Sequence, residues 1–392
     1  MQSSIFAFAT DLEDEGTETV LDNVQHRGAL GGITIAAAYH EGRDVFPHNP
    51  VRKVRFLESG AVFFRPDEAR WRGVRLRPPV SEAADVFPEA VAAAADRGLV
   101  VNAWTVFLHN GSLAASAPDC APENAFGDRY FTELCPANPD VRDFAEALAA
   151  DVAAQGVSTI VAESLHYHPL EHGVAHERYF VPLGERARFL LGLCFCRHCL
   201  DGAQRHGVDG EAVRCAARDE LERVLTGAAE EPLEPLEPEL AEYVRARAEA
   251  VTTLAASVAE AARGGGSRLD FMDLSGAVKG YTTGQPEGGP AAAIAWKLGI
   301  DLRALAGACD GLEAIGYAAD PARLRFDLEA YRALGGELSV VLRPMPPDSE
   351  SASNLREKVR LARELGLRRV DFYHYGLMRL DALDLIREAL EP

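Results

Sequence analysis

Eight short apolar or β-branched runs, each followed by a helical or irregular segment, predict an α/β fold of the (β/α)8 TIM-barrel class. Two further features support it. No glycine-rich phosphate loop follows the first run, as a doubly wound nucleotide-binding sheet would require. The alternation is also interrupted only once at length, between Leu165 and Ser267, by a helical stretch that carries a cysteine cluster. One barrel domain over residues 1–392 is expected, with a helical insertion at 165–267.

The strands are read in order. The first is Ile5 to Thr10, with a helix near Thr17 to Gln25, and the second is Gly32 to Tyr39. An irregular stretch and a helix near Ser81 to Asp96 lead to the third, Leu99 to Phe107. A helix from Pro139 to Ala154, with proline at its first turn, precedes the fourth, Ser158 to Ser164. In the insertion, the acidic proline-broken segment Glu230 to Glu239 separates two long helices. The remaining strands are Arg268 to Leu274, Gly311 to Tyr317, Glu337 to Arg343 and Arg369 to Tyr375. Helices are expected at Pro321 to Leu334, Ser353 to Leu365 and Asp381 to Leu390.

A formal charge of −20 argues against nucleic acid or an anionic membrane as partner. With 47% hydrophobic residues and no apolar stretch of spanning length, a globular protein of the cytoplasm is expected. The partner expected is a small-molecule or oligosaccharide substrate. A homo-oligomer is allowed for, although no sequence feature specifies one.

The densest chemical signal is Cys194-Phe195-Cys196-Arg197-His198-Cys199. Thiolates at this spacing suit a tetrahedral soft-metal site, with structural zinc ahead of an iron–sulfur cluster, free thiols or a disulfide. A fourth ligand is expected from Cys135, with Cys120 as the competitor. Cys215 and Cys309 read as buried small hydrophobes.

In a barrel of this kind the active site lies at the C-terminal ends of the strands. The fourth run is apolar until Glu163, so a partly desolvated carboxylate is expected there as general acid/base. Asp273, ending the fifth run, is the candidate second carboxylate of a glycoside-hydrolysing pair. Candidate substrate-binding residues are His109 after the third run, His166 and His168 after the fourth, Arg343 on the seventh, and Tyr373 and His374 on the eighth. Asp11 and its acidic neighbours read as an exposed loop. His172 and His176 extend the histidine-rich loop, and Lys279 to Gln285 reads as a lid.

The order Cys135, Glu163, then the C-x-C-x-x-C cluster, with Cys135-Pro136-Ala137-Asn138-Pro139 opening a helix, resembles the family 42 β-galactosidases and the hypothetical glycosyl hydrolases that share their barrel. The resemblance implies a zinc held by Cys135, Cys194, Cys196 and Cys199, and an acid/base role for Glu163. It departs from the family in Ala162, where an asparagine is usual. It departs again in the seventh strand, which ends in Leu342-Arg343-Pro344 where the family has its nucleophilic glutamate. A glycosidase-like hydrolase acting on a carbohydrate or glycosylated small molecule is expected. The alternatives are a metal-dependent sugar isomerase, epimerase or lyase built on the histidine loop, and a non-catalytic sugar-binding barrel.

Overall fold

The computed structural model of the protein describes residues 1–171, 178–276 and 284–391. Eight parallel strands close into a barrel: β1 (Gln2–Ala7), β2 (Gly32–Tyr39), β3 (Val100–Val106), β4 (Thr159–Glu163), β5 (Arg268–Asp273), β6 (Gly311–Ile315), β7 (Leu338–Leu342) and β8 (Arg369–Phe372). Each strand pairs with the next, and β1 closes the ring by pairing with both β2 and β8. The fold is thus the (β/α)8 barrel expected. β1 lies three residues earlier than the sequence suggests, and Thr10 belongs to the helix Ala9–Glu15. A small antiparallel hairpin, Gly42–Val45 with Val54–Leu57, follows β2 and has no counterpart in the sequence reading.

Register decides which side chains enter the barrel. Met272 of β5 stands beside Glu313 of β6, while Asp273 stands beside Ala314. Glu313 reaches inward to Arg369, so Asp273 faces the outer helices. The inward residues include an ionic group instead of the usual branched aliphatics. Arg369 bonds Glu313 at 2.6 Å, lies 3.1 Å from Asp270 and also bonds Asp371, all at most 1% exposed. Burial and the adjacent Asp371 hold the Glu313 carboxyl well above the usual carboxylate range. Above this layer sit Phe6, Trp104, Glu163, Met272 and Tyr373, at the C-terminal mouth of the barrel.

Between β4 and β5 run, among the described residues, four helices, Glu185–Leu191, Arg197–Arg205, Gly210–Leu225 and Pro238–Gly264. They enclose a second apolar cluster that includes Leu190, Leu193, Phe195, Leu221 and Tyr243. Stacking of Phe195 on Tyr243, with centroids 5.0 Å apart, helps to anchor the cysteine segment to the last of these helices. Among the described residues no helix is long and apolar enough to cross a membrane.

Candidate active site and metal centre

The cavity at the mouth of the barrel has a volume of about 900 Å³. Its floor and walls are aromatic: Phe6 of β1 and Trp104 of β3, Tyr317 and Tyr373 just past the ends of β6 and β8, with Tyr39 and His40 at the end of β2. Trp104 packs edge-on to Phe6 at 5.1 Å and to Tyr39 at 4.5 Å, which fixes the indole in one orientation. Its Nε1–H donates to Glu163 Oε2 at 2.5 Å. Glu163 is the last residue of β4, and Ser164 turns the chain sharply with φ of 55°. That turn is held by Leu108 N–H donating to Ser164 O at 3.1 Å.

Burial pushes the Glu163 carboxyl up to about 7, and the indole bond only partly offsets it. A carboxylic acid that is half protonated near neutrality can both give and take a proton. Glu163 lines the cavity.

Asp273 does not join it. Met272 and Leu274 line the cavity, but Asp273 is fully buried behind the strand, where Tyr331 Oη–H donates to Oδ2 at 2.5 Å and Ser275 Oγ–H to Oδ1 at 2.6 Å. The expected pairing of Glu163 with Asp273 therefore has no geometric basis: parity along β5 turns Asp273 outward. The other cavity-lining carboxylates among the described residues are Asp44, Glu171 and Glu185. Glu185 bonds Lys297, and Glu171 lies 3.3 Å from Arg188.

The candidate binding residues divide. His166, His168 and Tyr373 line the cavity. His109 stacks on the cavity residue His40 with centroids 4.3 Å apart, one layer behind the wall. Arg343 is held by a two-pronged bond to Asp348 at 2.5 and 2.8 Å, with its guanidinium 4.2 Å from the Tyr317 ring centre. It supports that ring from behind and is not a lining residue. His374 is fully buried against Phe8 at 4.2 Å; burial and the nearby His48 push it down to about 3, a neutral packing group with no access to ligand. Asp11 is likewise buried, accepting from Phe8 N at 2.9 Å, and is no exposed loop residue. His172 and His176, and most of the expected lid, lie outside the described residues.

Sequence reasoning missed three residues here. Nothing in the strand that holds Trp104 announces its bond to Glu163. Asp44 sits on the unforeseen hairpin. Glu133 lies in an irregular stretch; buried and pushed up to about 8 by that burial, it accepts from His168 N at 3.1 Å.

Behind this wall the sulfurs of Cys135, Cys194, Cys196 and Cys199 converge, all buried. Cys135 Sγ lies 3.5, 3.6 and 3.8 Å from those of Cys199, Cys196 and Cys194. A tetrahedron of metal–sulfur bonds of about 2.3 Å has edges of about 3.8 Å, so the four sulfurs are placed to hold one metal ion. They are far beyond the disulfide distance of about 2 Å. Cys120 is not among them. It joins Asp119 and Asp140 in a looser group already bridged by Arg75, which bonds each carboxylate at 2.6 Å. Cys309 is buried as expected, but Cys215 is exposed on its helix. Among the described residues, neither His166 nor His168 belongs to a group with metal-ligand spacing.

No family model matches the chain, and no curated protein matches it. Among solved structures it is similar to α-L-fucosidase isoenzyme 2 from Paenibacillus thiaminolyticus, at 16% identity and a TM-score of 0.55, over 99% of this chain and 49% of that one. It is also similar to a β-galactosidase from the psychrophilic Marinomonas ef1, at 13% identity and a TM-score of 0.56, over 99% of this chain and 58% of that one. The chain spans about half the length of these structures, and what it shares with them is the barrel fold.

Proposed function

We propose that the protein is a glycosidase-like hydrolase that acts on a carbohydrate or a glycosylated small molecule, with Glu163 as its general acid/base. The observation that carries this reading is the placement of Glu163 on an aromatic cavity floor, pushed up to about 7 and held by one indole N–H. Aromatic rings offer flat apolar faces to a sugar, and their π-faces favour positive charge that develops at the anomeric carbon. Protonated Glu163 gives its proton to the glycosidic oxygen as the bond to the anomeric carbon breaks. The carboxylate left behind is stabilised by Trp104 Nε1–H, and it takes a proton from the water that adds to that carbon. Tyr373, His166 and His168 are assigned to substrate contact, and Tyr317, backed by Arg343, completes the wall. The naming of two sugar-cleaving enzymes among structures of the same fold is consistent with this chemistry.

We assign the four-cysteine centre to structural zinc. Four thiolates complete the tetrahedron and leave no position for water, so the ion has no direct part in the chemistry.

The test is hydrolysis of a panel of aryl glycosides, both anomers, by the wild type and by Glu163→Gln. A wild-type rate on at least one sugar, lowered 10²- to 10⁴-fold in the variant, supports the assignment. Equal inertness of both proteins across the panel removes it.

A further inference from the structure

Charge inside the cavity is unevenly matched. Six charged side chains line it among the described residues: Asp44, Glu163, Glu171, Glu185, Arg188 and Lys297. Both cations are already engaged, Lys297 with Glu185 and Arg188 with Glu171. Two acids are left over. Glu163 has its indole donor, but among the described residues the Asp44 side chain has neither a hydrogen bond nor an ion pair.

The hairpin explains why Asp44 nevertheless faces inward. Asp44 alternates with Arg43 and Val45, which point to the exposed face, Val45 at 63% exposure. Across the hairpin, Arg55 opposes Asp44 in register but is bonded to Glu13 and Asp14, at 3.0 and 3.2 Å. The Arg that could have neutralised Asp44 is thus committed elsewhere. A half-buried carboxylate without a donor is costly, and burial raises its proton affinity accordingly. A ligand cation would relieve that cost.

We infer that the cavity selects an amino sugar, or another amine-bearing glycoside, and that Asp44 is the residue that receives its ammonium group. The aromatic walls fit the same ligand, because an ammonium beside Tyr39 and Trp104 is attracted to their π-faces. Uronic acids and sugar phosphates are disfavoured by the Asp44 carboxylate, which no cation offsets among the described residues. This rests on the carbohydrate reading of the cavity, but not on Glu163 being the proton donor.

The experiment measures binding, not turnover. Glucosamine, galactosamine, their N-acetylated forms, glucose, galactose and glucuronic acid are titrated by calorimetry into the wild type and into Asp44→Asn. Matched thermal midpoints confirm that the variant is folded. The expected result is at least tenfold tighter binding of a free amine than of its neutral counterpart, with that margin lost in Asp44→Asn and glucuronic acid the weakest ligand. Neutral sugars binding as tightly as amines, or an amine margin unchanged in the variant, overturns the inference while leaving the carbohydrate reading intact. Absence of binding by every sugar, whatever its charge, overturns both.

Discussion

Replacing Cys135 by serine separates the metal centre's structural role from any other. Of the four proposed ligands Cys135 alone lies upstream of β4; the other three lie 59 to 64 residues further on. A metal clip across that interval restricts the unfolded chain as a cross-link would. Loop-closure entropy for about 60 residues is worth about 4 kcal/mol. Spread over the unfolding entropy of a 392-residue chain, that loss lowers the thermal midpoint by roughly 5 °C. The assay pairs elemental analysis with thermal unfolding. Wild type should carry one zinc per chain, and Cys135→Ser, or wild type stripped by a chelator, should melt lower by a similar margin. A variant that loses its metal and melts with the wild type refutes the clip. A wild type that contains no metal refutes the site.

The remaining predictions concern the barrel interior. The rate governed by Glu163 should fall as pH rises through about 7, because the acid form is lost; a kcat/KM profile that is flat from pH 5 to 9 contradicts this. Trp104→Phe removes a bond that lowers the Glu163 proton affinity, so the alkaline limb should move up by about 1–2 pH units, read from the same profile. Asp273→Asn should cost about 1–3 kcal/mol in denaturant unfolding, through the acceptor lost to Tyr331 or Ser275, with kcat changed less than about threefold; a collapse of kcat at normal stability would restore Asp273 to the chemistry. Arg369→Met leaves Asp270, Glu313 and Asp371 buried without their shared cation and should destabilise by about 3–5 kcal/mol, measured in urea.

The barrel was legible in the sequence because strands buried on both faces, such as β2 and β7, read as nearly continuous apolar runs. The same property hid the direction of the side chains. In a strand such as Leu269-Asp270-Phe271-Met272-Asp273, either parity looks equally apolar, and the last carboxylate is as easily outward as inward. Only the register with β6 shows that Asp270 enters the barrel and Asp273 leaves it. Glu163 was legible because its strand has a single polar end, and the C-x-C-x-x-C spacing exposed the cysteine cluster. The hairpin was not legible: Gly42–Val45 and Val54–Leu57 are four-residue strands with charges and exposed valines, stabilised by pairing and not by an apolar pattern. Asp44 went unnoticed with it. His374 and Arg343 were misjudged for another reason. A polar residue near a strand end can be consumed by packing or by a local partner, and neither Phe8 nor Asp348 is marked in the sequence as that partner.

The metal centre and the cavity are less separate than the sequence suggests. Tyr167 bridges them: its hydroxyl is 3.2 Å from Cys199 Sγ, and the Arg247 guanidinium lies 4.3 Å from its ring centre. Its chain neighbours, His166 and His168, line the cavity. Glu133, two residues before Cys135, accepts from His168 N, so a second strut joins the same two places. The segment after β4 has no regular structure between Ser164 and Leu170, and side chains must therefore hold it in place. It is tied at one end by the Leu108–Ser164 bond and further along by the cysteine cluster through Tyr167. The four buried cysteines are thereby joined to the cavity wall. They hold in place the cavity histidines His166 and His168, three and five residues downstream of Glu163.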